Sequence, residues 1–149
     1  MKLALLGYGR MGKAIEKIAL KRGHQIICKI DKYQRDGILE KADVAINFSI
    51  PDAAVENINK ALNQSIPVIC GTTGWLDAYE QVTQNAIEND TAFLYASNFS
   101  VGVNVFFKLN KVLAQMMRHQ NDYMVSIEEI HHIHKLDAPS GTAITLAEG

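Results

Sequence analysis

Cysteine is nearly absent: 149 residues hold only Cys28 and Cys70, both inside apolar stretches. Two thiols placed so far apart build neither a disulfide framework nor a cysteine metal site, and they read as buried and reduced, in a cytoplasmic protein. An excess of one charge is missing too. Lys plus Arg number 15 against 16 Asp plus Glu, a net charge of -1, so no broad positive field exists to draw in nucleic acid or an acidic membrane. Long apolar runs are lacking: the longest hold four to five residues, far short of a bilayer span. The run Leu3–Leu6 stops at Gly7, which is too short for a secretory signal. There is no internal repeat, low-complexity tract or charge block. With 48% hydrophobic and 21% charged residues the composition is that of a folded globular chain, one domain or one and a half in length.

What is present is an alternation of short apolar runs with helical patterns, the mark of βαβ units around a parallel sheet. Strands are expected at Lys2–Leu6, Gln25–Ile30, Val44–Phe48, Pro67–Cys70 and Ala92–Tyr95. Between them come a helix with Met11, Ile15, Ile18 and Ala19 on one face, stopped by Gly23, a helix opened by Pro51, and a helix over Leu76–Glu88. The polar stretch Lys32–Ala42 leaves room for at most one helical turn near Ile38–Leu39. After Tyr95 the texture changes. A turn-rich link, Ser97–Gly102, leads to a helix over about Val103–Arg118 whose apolar face holds Phe106, Leu109, Leu113, Met116 and Met117. Met124–Ile130 reads as a strand of a second layer, and Ser140 starts a further helix. The fold class is therefore α/β: a Rossmann-type doubly wound parallel sheet over residues 1–100, then over 101–149 the start of an α+β domain that this chain does not complete.

Gly7-Tyr8-Gly9-Arg10-Met11-Gly12 matches G-x-G-x-x-G between a strand and a helix, and Asp31 follows 19 residues after Gly12 at the end of the next strand. Glycines permit the tight turn and the close approach of a pyrophosphate, the helix N-terminus offers free N–H groups, and the acid accepts from ribose hydroxyls. Lys32 beside Asp31 can hold the 2′-phosphate of NADP(H) where the carboxylate favours NAD(H), so both NADH and NADPH are expected to bind, within about 100-fold of each other, roughly 2.7 kcal/mol. Gly71-Thr72-Thr73-Gly74, at a strand's carboxyl end, suits the nicotinamide side or simply caps the next helix; Phe48-Ser49-Ile50-Pro51 is a similar turn.

His131-His132-Ile133-His134-Lys135 concentrates proton-exchanging groups just ahead of Pro139-Ser140-Gly141-Thr142, a helix start suited to a carboxylate. Facing a nicotinamide, this set suits reduction of a small anionic substrate that needs a proton as well as a hydride. Two other classes stay open: a dinucleotide-binding module without catalysis, and a metal-dependent hydrolase on His131, His132 and His134. The second lacks any H-E-x-x-H or comparable ligand spacing, and the reading carries no metal.

The glycine turn, Gly71–Gly74, Ser97-Asn98-Phe99-Ser100-Val101-Gly102-Val103-Asn104 and the run from His131 to Ala143 together resemble the 4-hydroxy-tetrahydrodipicolinate reductase (dihydrodipicolinate reductase) family of bacterial lysine and diaminopimelate synthesis. The last run, H-H-x-x-K-x-D-x-P-S-G-T-A, is close to a family signature. The resemblance implies an NAD(P)H-dependent oxidoreductase acting on a cyclic dicarboxylate, cytoplasmic and homotetrameric when full length. It places proton donation or acceptance on His131 and proton donation on Lys135. Substrate contacts fall on His132, Lys135, Ser140, Gly141 and Thr142. Cofactor contacts fall on Gly7, Tyr8, Gly9, Arg10, Met11, Gly12, Asp31, Lys32, Gly71, Thr72, Thr73, Ala96, Ser97, Asn98 and Phe99. Three departures stand out. The segment after Asp31 is abbreviated, Ile133 replaces a residue that is often basic, and family members continue well past the helix that begins at Ser140. A fragment of this extent is expected to bind cofactor yet to lack activity and full assembly.

Overall fold

The computed structural model describes residues 1–32, 34–133 and 138–149. The chain divides into two compact units, Met1–Ala96 and Ser97–Gly149.

The first unit is a six-stranded sheet in the order β3-β2-β1-β4-β5-β6. Its strands are β1 (Lys2–Leu6), β2 (Gln25–Asp31), β3 (Gln34–Gly37), β4 (Val44–Asn47), β5 (Val68–Cys70) and β6 (Phe93–Tyr95). Five are parallel, joined by helices α1 (Arg10–Lys21), α2 (Pro51–Leu62) and α3 (Tyr79–Glu88). The central strand β1 is apolar on both faces because helices cover both. Ala4 and Leu6 of β1 pack with Ala54, Ile58, Ala61 and Leu62 of α2 and Val82 and Ala86 of α3. Leu3, one residue out of phase, packs with Ala19 of α1 and Val44 of β4 on the opposite side.

One strand departs from expectation. β3 runs antiparallel to β2, pairing Asp31 with Gln34 and Cys28 with Gly37, so the sheet is mixed rather than wholly parallel. The cause is chain length: only residues 32 and 33 separate the two strands, whereas a parallel neighbour needs a crossover of about a dozen residues or more. The expected helical turn follows as a 3-10 turn at Leu39–Lys41. The helix expected from Leu76 likewise begins as a 3-10 turn, Leu76–Ala78, and becomes α-helical at Tyr79.

The second unit holds α4 (Val101–Met117) and α5 (Gly141–Ala147). Ser100 caps α4 and Ser140 caps α5, each accepting from the N–H three residues on. No residue of α4 is buried, and Phe106, Leu109 and Leu113 on its expected apolar face are more than half exposed. The strand expected at Met124–Ile130 does not form: among the described residues nothing pairs with it, and Met124 is 98% exposed. Apolar, β-branched residues favour extended backbone, but a strand exists only with a ladder partner. Among the described residues no helix is long and apolar enough to cross a membrane.

Candidate functional site

The parallel strands of the first unit deliver four connections to one sheet edge, their carboxyl ends, where open α/β sheets hold ligands. β1 ends at Gly7, whose φ is +96° and whose N–H donates to the Ile30 carbonyl over 2.8 Å. A Cβ there would lie 2.2 Å from the Phe48 carbonyl oxygen, so both backbone angle and space require glycine. At Gly12 a Cβ would lie 2.4 Å from the Gly7 carbonyl oxygen, because α1 packs directly on the turn that precedes it. Gly9 is different. It has nothing within 4 Å of a notional Cβ, and as N-cap of α1 it leaves the first-turn N–H groups without a side-chain partner. An open backbone surface beside unspent N–H donors is what a pyrophosphate requires.

Tyr8, between these glycines, is braced by two residues that the sequence reading did not single out. Its hydroxyl donates to Glu16 of α1 and accepts from Lys29 Nζ of β2 at 3.3 Å, while Lys29 lies 2.6 Å from Glu16 and 4.6 Å from the ring centroid of Tyr8. The Lys29 ammonium and then the Tyr8 hydroxyl hold the Glu16 carboxyl below its ordinary range, and Glu16 in turn raises Lys29. Turn, helix and second strand are thereby tied at one point. The available signal was Lys29 itself, a charge in an apolar strand two residues ahead of Asp31. Asp31 is exposed at the end of β2, where its carboxylate accepts from the Lys32 N–H at 2.9 Å; Lys32 is exposed beside it.

The turns after β4 and β5 are stitched together. Thr72 is buried; its hydroxyl accepts from the Ser49 N–H at 2.8 Å, and its carbonyl accepts from the Trp75 indole at 2.6 Å. A Cβ on Gly71 would lie 2.2 Å from the Phe48 ring. Beneath them the fully buried Asn47 donates to Cys70 Sγ at 3.4 Å, its backbone carbonyl accepts from the Gly71 N–H at 2.9 Å, and its side-chain Oδ1 has no hydrogen-bond partner among the described residues. Burial raises the Cys70 thiol, which keeps it protonated. Thr73 is partly exposed on the same turn, and Ala96 closes the unit by donating to the Cys70 carbonyl at 3.2 Å.

Within the second unit, Asn98 accepts from the Ser100 N–H at 2.8 Å, Asn104 donates to the Asn98 and Ser100 carbonyls, and Phe99 is 44% exposed. Ser97 and Thr145 hydroxyls lie 3.4 Å apart. His131 donates through Nε2 to Glu129 Oε2 at 2.8 Å, and the same carboxylate accepts from the Ser140 hydroxyl at 2.5 Å and the Ser140 N–H at 2.8 Å. These bonds, Ser140 foremost and then His131, hold the Glu129 carboxyl down at about 2. Glu129 is a further residue that the sequence reading missed. Both donors of Ser140, one of the expected substrate contacts, reach this carboxylate. His132 is exposed, and Gly141 and Thr142 open α5. Lys135 and His134 lie outside the described residues. Among the described residues no group of three or more His, Cys, Asp or Glu is placed to hold a metal ion.

Comparison with known proteins matches both units. A family model described as dihydrodipicolinate reductase, N-terminus, covers residues 1–99, and one described as dihydrodipicolinate reductase, C-terminus, covers residues 102–149. A 4-hydroxy-tetrahydrodipicolinate reductase of Christiangramia forsetii is 55% identical over 150 residues, which is 99% of this chain and 63% of the relative. One from Methanoculleus marisnigri is 42% identical over 120 residues, covering 80% of this chain and 45% of its own length. The chain thus spans only part of the length of these curated relatives. Among solved structures, a hyperthermophilic archaeal homoserine dehydrogenase mutant in complex with NADPH superimposes with a TM-score of 0.53 at 15% identity, covering 63% of this chain and 43% of that one. At that identity the likeness shows the shared Rossmann-like fold.

Proposed function

The chain belongs to the dihydrodipicolinate reductase family, and on that premise we propose that it takes part in the NAD(P)H-dependent reduction of 4-hydroxy-tetrahydrodipicolinate to tetrahydrodipicolinate with loss of water. The observation that carries the reading is the joint one: family matches over both units, and a glycine turn whose Gly9 stands open beside uncapped N–H groups. Residues 1–100 form the dinucleotide half, and residues 101–149 supply the first part of a substrate and oligomerisation half. The whole protein would work as a cytoplasmic homotetramer.

The reduced nicotinamide, when bound, supplies the hydride. Gly7 to Gly12 seat the pyrophosphate through backbone N–H groups, Asp31 accepts from a ribose, and Lys32 offers charge to a 2′-phosphate. Gly71, Thr73, Ala96 and Ser97 to Phe99 border the nicotinamide end, with Thr72 holding the first of these turns in shape. On the substrate side, His132, Gly141 and Thr142 hold carboxylates, while His131 and Lys135 move protons. The test is an assay of NADH and NADPH oxidation with enzymatically generated substrate, using the full-length protein. Lys135→Ala is expected to lower turnover by about 100-fold or more. Near-normal turnover in that variant refutes the role of Lys135, and nucleotide binding without substrate-dependent oxidation in the unaltered protein refutes the reductase reading.

A further inference from the structure

We infer that Glu129 is a positioning residue for this reaction: it fixes the tautomer and orientation of His131 and clasps the two ends of the segment that carries His131, His132 and Lys135. The inference rests on the reductase reading for its consequence in catalysis, but its geometry stands independently.

A carboxylate only accepts hydrogen bonds, so Nε2 of His131, 2.8 Å from Glu129 Oε2, must carry the hydrogen. In the neutral ring that leaves the lone pair on Nδ1. A proton can then be taken up or released only at Nδ1, on the side of the ring turned from Glu129. Which nitrogen serves is set by the bond that the other makes.

The second half of the argument concerns Ser140. Its N–H reaches Glu129 Oε1 and its hydroxyl reaches Oε2, across a separation of 11 residues. The hydroxyl oxygen also accepts from the Ala143 N–H at 3.1 Å, so the clasp runs into the first turn of α5. Ser140 is 4% exposed, and the side chains of Glu129 and His131 are 27% and 37% exposed. One face of the network is therefore buried while His131 still reaches solvent. Three hydrogen bonds converge on one carboxylate, and no other described side chain joins His131 to the helix start. Closing the segment at its base reduces the conformations open to His131 and His132 before any ligand arrives, an entropy cost met on folding rather than on binding.

The decisive measurement is the nitrogen NMR spectrum of the histidine side chains, with His131 assigned by loss of its signals in His131→Ala. The unaltered protein is expected to show the Nε2–H tautomer for neutral His131. Glu129→Gln, nearly the same shape but able to donate as well as accept, is expected to lose that preference. Its kcat should fall about 10-fold or more, with KM for NADH unchanged. Ser140→Ala keeps the carboxylate on His131, so it should retain the tautomer and lose less kcat than Glu129→Gln. An Nδ1–H or mixed tautomer in the unaltered protein overturns the inference, as does an unchanged kcat in Glu129→Gln or equal losses in the two variants. If Glu129→Gln fails to fold, the tautomer of the unaltered protein and the Ser140→Ala result still decide. An Nε2–H tautomer in a protein without reductase activity would sink the functional reading and leave the clasp standing.

Discussion

Replacing Gly9 and Gly12 separately by alanine distinguishes a glycine turn that serves a ligand from one that serves only the fold. At Gly12 the new Cβ lies 2.4 Å from the Gly7 carbonyl oxygen, about 1 Å short of the 3.4 Å at which ordinary contact begins. The obstacle is backbone, so α1 itself must retreat. Overpacking of this kind costs about 1–3 kcal/mol, and the better helix propensity of alanine returns up to about 1 kcal/mol. A net loss of about 1–2 kcal/mol is expected in urea unfolding. At Gly9 nothing in the protein lies within 4 Å and φ is -77°, an angle open to alanine. Alanine is a poorer N-cap than glycine by about 0.5–1 kcal/mol, and its restriction of the unfolded chain returns a similar amount. Stability should therefore stay within about 0.5 kcal/mol. Dinucleotide binding should not. A methyl group where a pyrophosphate approaches the backbone is expected to weaken NADH at least 10-fold, about 1.4 kcal/mol. Titrating NADH against the fluorescence of Trp75, the single tryptophan, follows binding directly. Native-like NADH affinity in a stable Gly9→Ala protein would refute the argument that this opening receives the cofactor.

Three further outcomes follow from the packing and electrostatics. Leu62→Ala empties a fully buried site between α2 and the sheet and is expected to cost about 2–5 kcal/mol in urea unfolding; a loss under about 1 kcal/mol would show that the core collapses around it. Glu16→Gln removes the charge that joins Tyr8 to Lys29, and on the order of 1 kcal/mol should be lost after allowing for partial exposure, more at low salt than at high. Glu129, with a folded pKa of about 2 against 4.5, stabilises fully above pH 4.5 and progressively less as pH falls toward 2. The gap in urea midpoint between the unaltered protein and Glu129→Gln should therefore be open at pH 7 and narrowed by pH 2; a gap independent of pH would show that the carboxylate charge contributes nothing.

The elements around Gly7 were legible in the sequence because each rests on local rules. Leu3–Leu6 announce a buried strand, the glycines announce the turn, and the apolar spacing announces a helix, although of its expected face only Ala19 is buried while Met11 and Ile18 are exposed. β3 was not legible. Gln34-Arg35-Asp36-Gly37 has no apolar alternation, and it is a strand only through its antiparallel pairing on the β2 ladder. The opposite error occurred at Met124–Ile130, where composition favoured a strand but no partner lies beside it among the described residues. Pairing is a non-local property, and neither case was encoded in its own residues. The same holds for the candidate site. His131 and Ser140 were found from the motif, whereas Glu129 and the Glu16–Lys29 pair became visible only once folding brought distant positions together.

The reversed strand at the margin of the sheet has a consequence for association. A sheet of six strands has two rims, and unpaired backbone along a rim is a template for joining another chain. Here one rim is a four-residue strand bearing Arg35 and Asp36, exposed throughout, and the other, β6, is three residues long. Charge guards the first border and brevity the second, so each rim offers a poor template for growth by strand addition.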